Sequence, residues 1–248
     1  MNVALYGGTF DPVHKGHIAV ARAAAGKFHL GRVYFIPANI PPHKQKRPLT
    51  SYCQRYAMLS LALAEEKKFL PSLLESTELV KSADVRASYS IDTVRRYKQQ
   101  MPAADHLFFL IGVDAFLEIS TWRSPVELLR ECEFIVANRP GFSLADVVAA
   151  LPPELRPPVV DKKCGNRSAG SIRHGGAIIH LLPDVNVPVS ATQVREAVHA
   201  GRSIKKLVGE PVAEYIRKMK LYRDEQEVAS REIVTDVHSM QGCCKHKP

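Results

Sequence analysis

Short apolar runs alternate with amphipathic stretches along most of this chain, and that alternation restricts the fold more than any other property of the sequence. VALY, RVYFIP, FLPSLL, HLFFLIG, EFIVANRP and AIIHLLP read as buried strands. Between them, helical periodicity predicts helices over 14–25, 51–67, 90–100 and 125–131, with Tyr52, Tyr56, Leu59 and Leu63 marking one face of the second. Strands this apolar need cover on both faces, and strand–helix–strand order supplies it through a parallel sheet with helices on each side. The expected class is α/β: a Rossmann-like, doubly wound parallel sheet with a C-terminal helical portion. Ligands of such sheets lie beyond the carboxyl ends of the strands.

The 248 residues can bury a full core, and 46% hydrophobic with 24% charged residues fits a globular chain rather than a disordered one. No apolar run reaches the roughly 18 residues a bilayer demands. The N-terminal run enters Gly7 and Gly8 as a strand enters a loop, unlike a secretion signal, so a cytoplasmic location is expected. Cys53, Cys132, Cys164, Cys243 and Cys244 form no C-x-x-C pair, which argues against a disulfide framework and a four-thiolate zinc site. Cys243 and Cys244 beside His246 read as a reactive tail rather than a metal site. The formal charge of +9 favours anionic partners, either nucleic acid or small phosphorylated molecules. No aromatic-and-basic signature accompanies it, so nucleic acid is the weaker of the two.

The expected domain spans residues 1–222. The stretch 151–176, rich in Pro, Gly, Arg and Ser, reads as a surface insertion between a helix and a strand. After Tyr222 the apolar periodicity fades, and residues 223–248 read as a disordered tail in which VASREIVTDV is the one candidate helix.

GGTFDPVHKGH, residues 7–17, follows the first strand. It is neither a Walker loop nor the G-x-G-x-x-G dinucleotide fingerprint. Two glycines at a strand end still allow close backbone approach to a ligand, and the next helix offers unpaired N–H groups and a positive dipole end. His14 and His17, three apart, share one face of its first turn, and Gly16 removes a side chain that would crowd them. A metal would need a third ligand, and no H-E-x-x-H pattern provides one. Two solvated histidines remain an alternative; the setting favours imidazoles aimed at a phosphate. Far along the chain, VSATQVRE (189–196) contains a capping box, Ser190 with Gln193, so a helix should start there with Arg195 in its first turns.

GGTFDPVHKGH resembles the GGxFDPxHxGH signature of the nucleotidyltransferase superfamily, and VSATQVRE resembles its I-S-[SA]-T-x-x-R element. FIPANIPPHK (35–44), ASYSIDTV (87–94), FLIGVDAFLEISTW (109–122), FIVANRPGF (134–142) and VGEPVAEYIRKMKLY (208–222) are similar, in order, to stretches of the bacterial nicotinate-nucleotide adenylyltransferase family. Phosphopantetheine adenylyltransferases share the histidine element but are shorter and lack the PPHK and IGxDxF…TW blocks.

The resemblance implies a nucleotidyltransferase-type sheet and transfer of the adenylyl group of ATP to nicotinate mononucleotide, giving deamido-NAD and pyrophosphate in NAD biosynthesis. The alternative is an enzyme preferring nicotinamide mononucleotide or another phosphorylated acceptor. It implies His14, His17 and Arg195 as catalytic residues on the triphosphate, and Gly7, Gly8, Thr9, Phe10, Gly112, Asp114, Ser190 and Thr192 at ATP. Asp114 reads equally well as a helix N-cap. Asn39, His43, Lys44, Ser90, Trp122 and Arg123 would meet the mononucleotide, with Lys44 on its phosphate and Trp122 against the pyridine ring; a lone Trp also reads as core packing. Ser90 stands where the family usually carries Thr, and Arg123 replaces its usual aromatic residue. The implied partners are ATP and nicotinate mononucleotide, with no membrane and a homo-oligomer left open. The implied cofactor is Mg²⁺, held mainly by ATP phosphates and not by a protein metal site.

Overall fold

The apolar runs become strands wherever both of their faces find cover. The structure, a computed structural model, describes residues 1–39, 49–76, 88–100, 102, 105–158, 170–183, 185 and 187–223. Its strands are β1 (Asn2–Gly8), β2 (Arg32–Pro37), β3 (Phe69–Pro71), β4 (His106–Gly112), β5 (Glu133–Ala137), β6 (Gly170–His174) and β7 (Ala177–Leu182). They form one sheet in the order β3-β2-β1-β4-β5-β7-β6. All pairings are parallel except β6 with β7. The order reverses between β1 and β4, the switch point where a crevice opens above the carboxyl ends.

Side chains of β1 alternate between two cores. Ala4 and Tyr6 pack with Phe35, Met58, Leu59 and Ile216; Val3 and Leu5 pack with Phe109, Val94, Leu128 and Val147. Helices α1 (Lys15–Lys27), α2 (Tyr52–Leu63), α3 (Ser90–Lys98), α4 (Val113–Phe116), α5 (Pro125–Glu131) and α6 (Leu144–Ala150) provide most of that cover. The C-terminal portion is helical as expected: α7 (Ala191–His199), α8 (Lys205–Val208) and α9 (Glu210–Lys218). Among the described residues, no helix is long and apolar enough to cross a membrane.

Three expectations need correction. The stretch 151–176 is not wholly a surface insertion, because Gly170–His174 forms β6, antiparallel to β7. Gly175 (φ 58°) and Gly176 (φ 87°) make the tight turn between them, a backbone that two glycines adopt without strain. FLPSLL forms only three strand residues; Pro71 lacks a ladder donor and sits on an edge strand, where that absence is tolerated. The helices expected over 51–67 and 90–100 stop at Leu63 and Lys98. Helix α6 was not anticipated; Ser143 caps it, with its backbone N–H donating to Asp146 Oδ2 at 2.7 Å. Residues 224–248, including VASREIVTDV and the Cys243–Cys244 pair, lie outside the described residues, as does Cys164.

Candidate active site

The glycine loop leaves β1 at the switch point and turns through Phe10, which sits in the left-handed region (φ 49°), into the first turn of α1. His14 is the N-cap of that helix. Its ring stacks on that of His17, with centroids 3.7 Å apart and planes 26° from parallel. The His14 backbone N–H donates to His17 Nδ1 at 3.2 Å. An acceptor at Nδ1 leaves the proton of a neutral His17 ring on Nε2, the tautomer that donates from that nitrogen.

His14 is 6% exposed, and its Nδ1 has no hydrogen-bond partner among the described residues. Burial pushes its pKa down to about 4, and the nearby Arg139 charge pushes the same way, so the ring is neutral near pH 7. A buried polar atom left unpaired is costly unless a ligand or water satisfies it. Gly16 explains how the rings fit. A Cβ there would lie 3.0 Å from the His14 ring and 3.3 Å from the Val189 carbonyl oxygen.

That last contact carries the geometry. Val189 opens the distant VSATQVRE element, so its backbone rests against the first turn of α1. Ser190 and Gln193 cap α7 reciprocally: Ser190 N–H to Gln193 Oε1 at 2.9 Å, Gln193 N–H to Ser190 Oγ at 3.2 Å. Arg195 then reaches across, Nη1 donating to the Asp11 carbonyl at 2.7 Å and Nη2 to Thr192 Oγ1 at 3.0 Å. Two stretches far apart in sequence thus meet at the end of β1.

Beside this cluster lies a cavity of about 300 Å³ over the ends of β1, β2 and β4. Gly7, Gly8 and Thr9 form one wall; Ser90, Trp122 and Arg123 belong to the other. Trp122 is half-buried, one side packed on the core and the indole bordering the cavity. Arg123 lies 4.7 Å from the Tyr89 ring centroid and 3.7 Å from Asp92 Oδ2. His14, His17 and Arg195 are not among the cavity walls; Gly7–Thr9 connect the two regions.

Not every expected residue behaves as read. The Phe10 side chain is buried against Tyr6, Phe35 and His17, leaving only its backbone for a nucleotide. A Cβ at Gly8 would strike the Phe10 ring at 2.9 Å, so that glycine also serves internal packing. Asp114 is not an N-cap: Gly112 holds that position, and Asp114 pairs with Arg139 Nη1 at 2.8 Å. Asn39 is not among the cavity walls: its backbone N–H approaches the wall residues Glu75 and Ser88, and its amide nitrogen Nδ2 is buried without a partner among the described residues. His43 and Lys44 lie outside the described residues.

Several residues that sequence reasoning missed hold the site together. Arg55, 1% exposed, donates to the carbonyls of Thr9 (2.8 Å), Thr50 (2.9 Å) and Asn39 (3.3 Å). Asp11, 5% exposed, accepts from the Tyr222 hydroxyl at 2.6 Å. Glu75 lines the cavity and accepts from Thr93 Oγ1 at 2.8 Å.

Residues 5–197, which carry the histidines at the first helix and the arginine brought over from a late helix, match the Cytidylyltransferase-like family, and the chain is a nucleotidyltransferase. The chain is 35% identical over 225 residues to a protein of Citrifermentans bemidjiense named a probable nicotinate-nucleotide adenylyltransferase, covering 90% of this chain and 99% of that one. A Moorella thermoacetica protein of the same name is 38% identical over 223 residues, covering 89% and 91%. The chain belongs to the nicotinate-nucleotide adenylyltransferase family. In fold it is similar to a solved Plasmodium falciparum nicotinic acid mononucleotide adenylyltransferase complexed with NaAD, with a TM-score of 0.64, 18% identity, and 89% and 97% of the two chains covered.

Proposed function

We propose that this protein joins ATP to nicotinate mononucleotide, releasing pyrophosphate and forming deamido-NAD, with His14, His17 and Arg195 on the triphosphate and the Trp122-walled cavity holding the pyridine ring. The observation that supports it most is the buried His14 Nδ1, without a hydrogen-bond partner among the described residues, in a turn that the Arg195 element packs against. The names of the relatives support the acid as acceptor.

The attacking atom is a phosphate oxygen of the mononucleotide, largely ionised at neutral pH because its second pKa is about 6. Its bond to the α-phosphorus forms as the bond from that phosphorus to the bridging β-phosphate oxygen breaks. No protein nucleophile is required. Alignment and neutralisation of developing charge suffice, and N–H donors with one guanidinium supply both. Gly8, Thr9, Ser190 and Thr192 surround the path of the triphosphate, with Gly112 and Asp114 at the nucleoside end. Asn39, Ser90 and Arg123 face the mononucleotide, whose phosphate we assign to His43 and Lys44. Among the described residues, no group of three or more His, Cys, Asp or Glu side chains could hold a metal. Asp114 is already paired with Arg139. We assign magnesium to the triphosphate, with which it enters as part of the substrate, because Mg²⁺ keeps its waters and binds readily through substrate phosphates. Soluble nucleotide substrates suit a cytoplasmic enzyme.

Pyrophosphate release with ATP should be fastest with nicotinate mononucleotide, slower with nicotinamide mononucleotide and absent with phosphopantetheine. No release with either pyridine mononucleotide rejects the proposal. Trp122→Ala should raise KM for the mononucleotide about tenfold or more, the scale of one lost ring stack, and leave KM for ATP nearly unchanged. Equal effects on both would make Trp122 a packing residue.

A further inference from the structure

A carboxyl group stands in the wall of a cavity that is to receive an acid. Glu75 lines the same cavity as Ser90, Trp122 and Arg123. Its Oε1 accepts from Thr93 Oγ1 at 2.8 Å, and that hydroxyl also lies 3.2 Å from the Tyr89 carbonyl. Its Oε2 lies 3.4 Å from the Asn39 N–H, which Ser88 Oγ also approaches at 3.2 Å. Glu75 therefore touches the start of α3, where backbone amides can meet a substrate carboxylate, and the end of β2 opposite. A second carboxylate brought here meets like charge whenever Glu75 is ionised.

Resting on the function proposed above, we infer that Glu75 is the specificity residue that ties the acid-over-amide choice to pH: the cavity takes the carboxylate-bearing ring while Glu75 holds its proton, and discriminates against it once Glu75 is ionised. Burial raises the pKa of Glu75, outweighing the opposing hydrogen bonds from Thr93, Ser88 and Asn39 and the charge of Arg96. The groups around it are Arg96 on α3, Arg55 and Tyr52 on α2, and Glu118 and Arg123 across the cavity. Its folded pKa lies above the ordinary glutamate value, so the neutral form persists to higher pH than in a free side chain. Preference for the acid is present below the folded pKa and lost as pH rises through it.

The test is the ratio of kcat/KM for nicotinate mononucleotide to kcat/KM for nicotinamide mononucleotide, measured from pH 5.5 to 9 on the full chain. Titrations common to both substrates, including their phosphate and the histidines, cancel in that ratio. The ratio should fall with rising pH by up to about tenfold per unit. Glu75→Gln, which keeps an acceptor for Thr93 but cannot ionise, should make it flat. The native profile needs no variant, so a misfolded Glu75→Gln leaves the test intact. A flat native ratio with brisk acid turnover, or a slope that survives in Glu75→Gln, overturns this inference alone. Turnover of neither mononucleotide overturns the proposed function and this inference with it.

Discussion

His17→Ala should depress single-turnover pyrophosphate release by at least about 10²-fold, or about 2.7 kcal/mol of transition-state stabilisation, while the chain stays folded. His17 is half-buried, edge-on to Phe10 at 5.0 Å and Tyr6 at 6.2 Å. Truncation removes ring contacts worth about 1 kcal/mol, too little to unfold a domain of this size. The kinetic loss has a different origin. With Nδ1 accepting from the His14 N–H, the donor is Nε2–H, aimed by the backbone rather than by a flexible partner. His14, with a pKa near 4, stays neutral throughout the working range and cannot replace the lost donor by becoming charged. His17→Asn, which restores a shorter N–H donor, should recover part of the rate. Near-native turnover in His17→Ala at unchanged Tm would remove His17 from catalysis.

The parts legible in sequence were those whose cause is local. Arg32–Pro37 and His106–Gly112 run as strands over the apolar segments read for them, because charge and turn residues bound both runs. Pro125 starts α5 and Ser190 caps α7 where expected, since both signals lie within one turn of the helix start. The hairpin at Gly175–Gly176 was also locally encoded, two glycines between IRH and AII, but the surrounding Pro and Ser masked it. Arg55 left no local trace. On an amphipathic helix it reads as a solvated cation, whereas its acceptors are the carbonyls of Thr9 after β1, Asn39 after β2 and Thr50 before α2. Tyr222 likewise holds Asp11 through its hydroxyl, a contact no window of sequence contains. Glu75 sits in an irregular stretch whose carboxyl acquires meaning from the cavity. The motifs therefore announced the residues proposed for the phosphates, while the groups holding the loops in register appeared only in three dimensions.

Arg195 joins those two levels, and its replacement should have the larger effect. Arg195→Ala should lower kcat/KM by about 10³-fold, because a guanidinium on a transferring phosphoryl group is worth that much or more. Its Nη1 holds the Asp11 carbonyl, and Nη2 holds Thr192 Oγ1, so the fork is oriented before substrate arrives. The same fork ties α7 to the glycine loop, and losing it leaves one backbone carbonyl to find water, a stability cost of about 1 kcal/mol. Tm should therefore drop only a few degrees. Arg195→Lys separates charge from geometry. The ammonium retains a positive charge but cannot span both acceptors, so it should recover about tenfold of the loss and no more. If Arg195→Lys matched the native rate, a point charge would suffice and the oriented fork would have no catalytic part. If Arg195→Ala lost Tm in proportion to rate, the residue would be a strut between α7 and the loop rather than a ligand for the triphosphate.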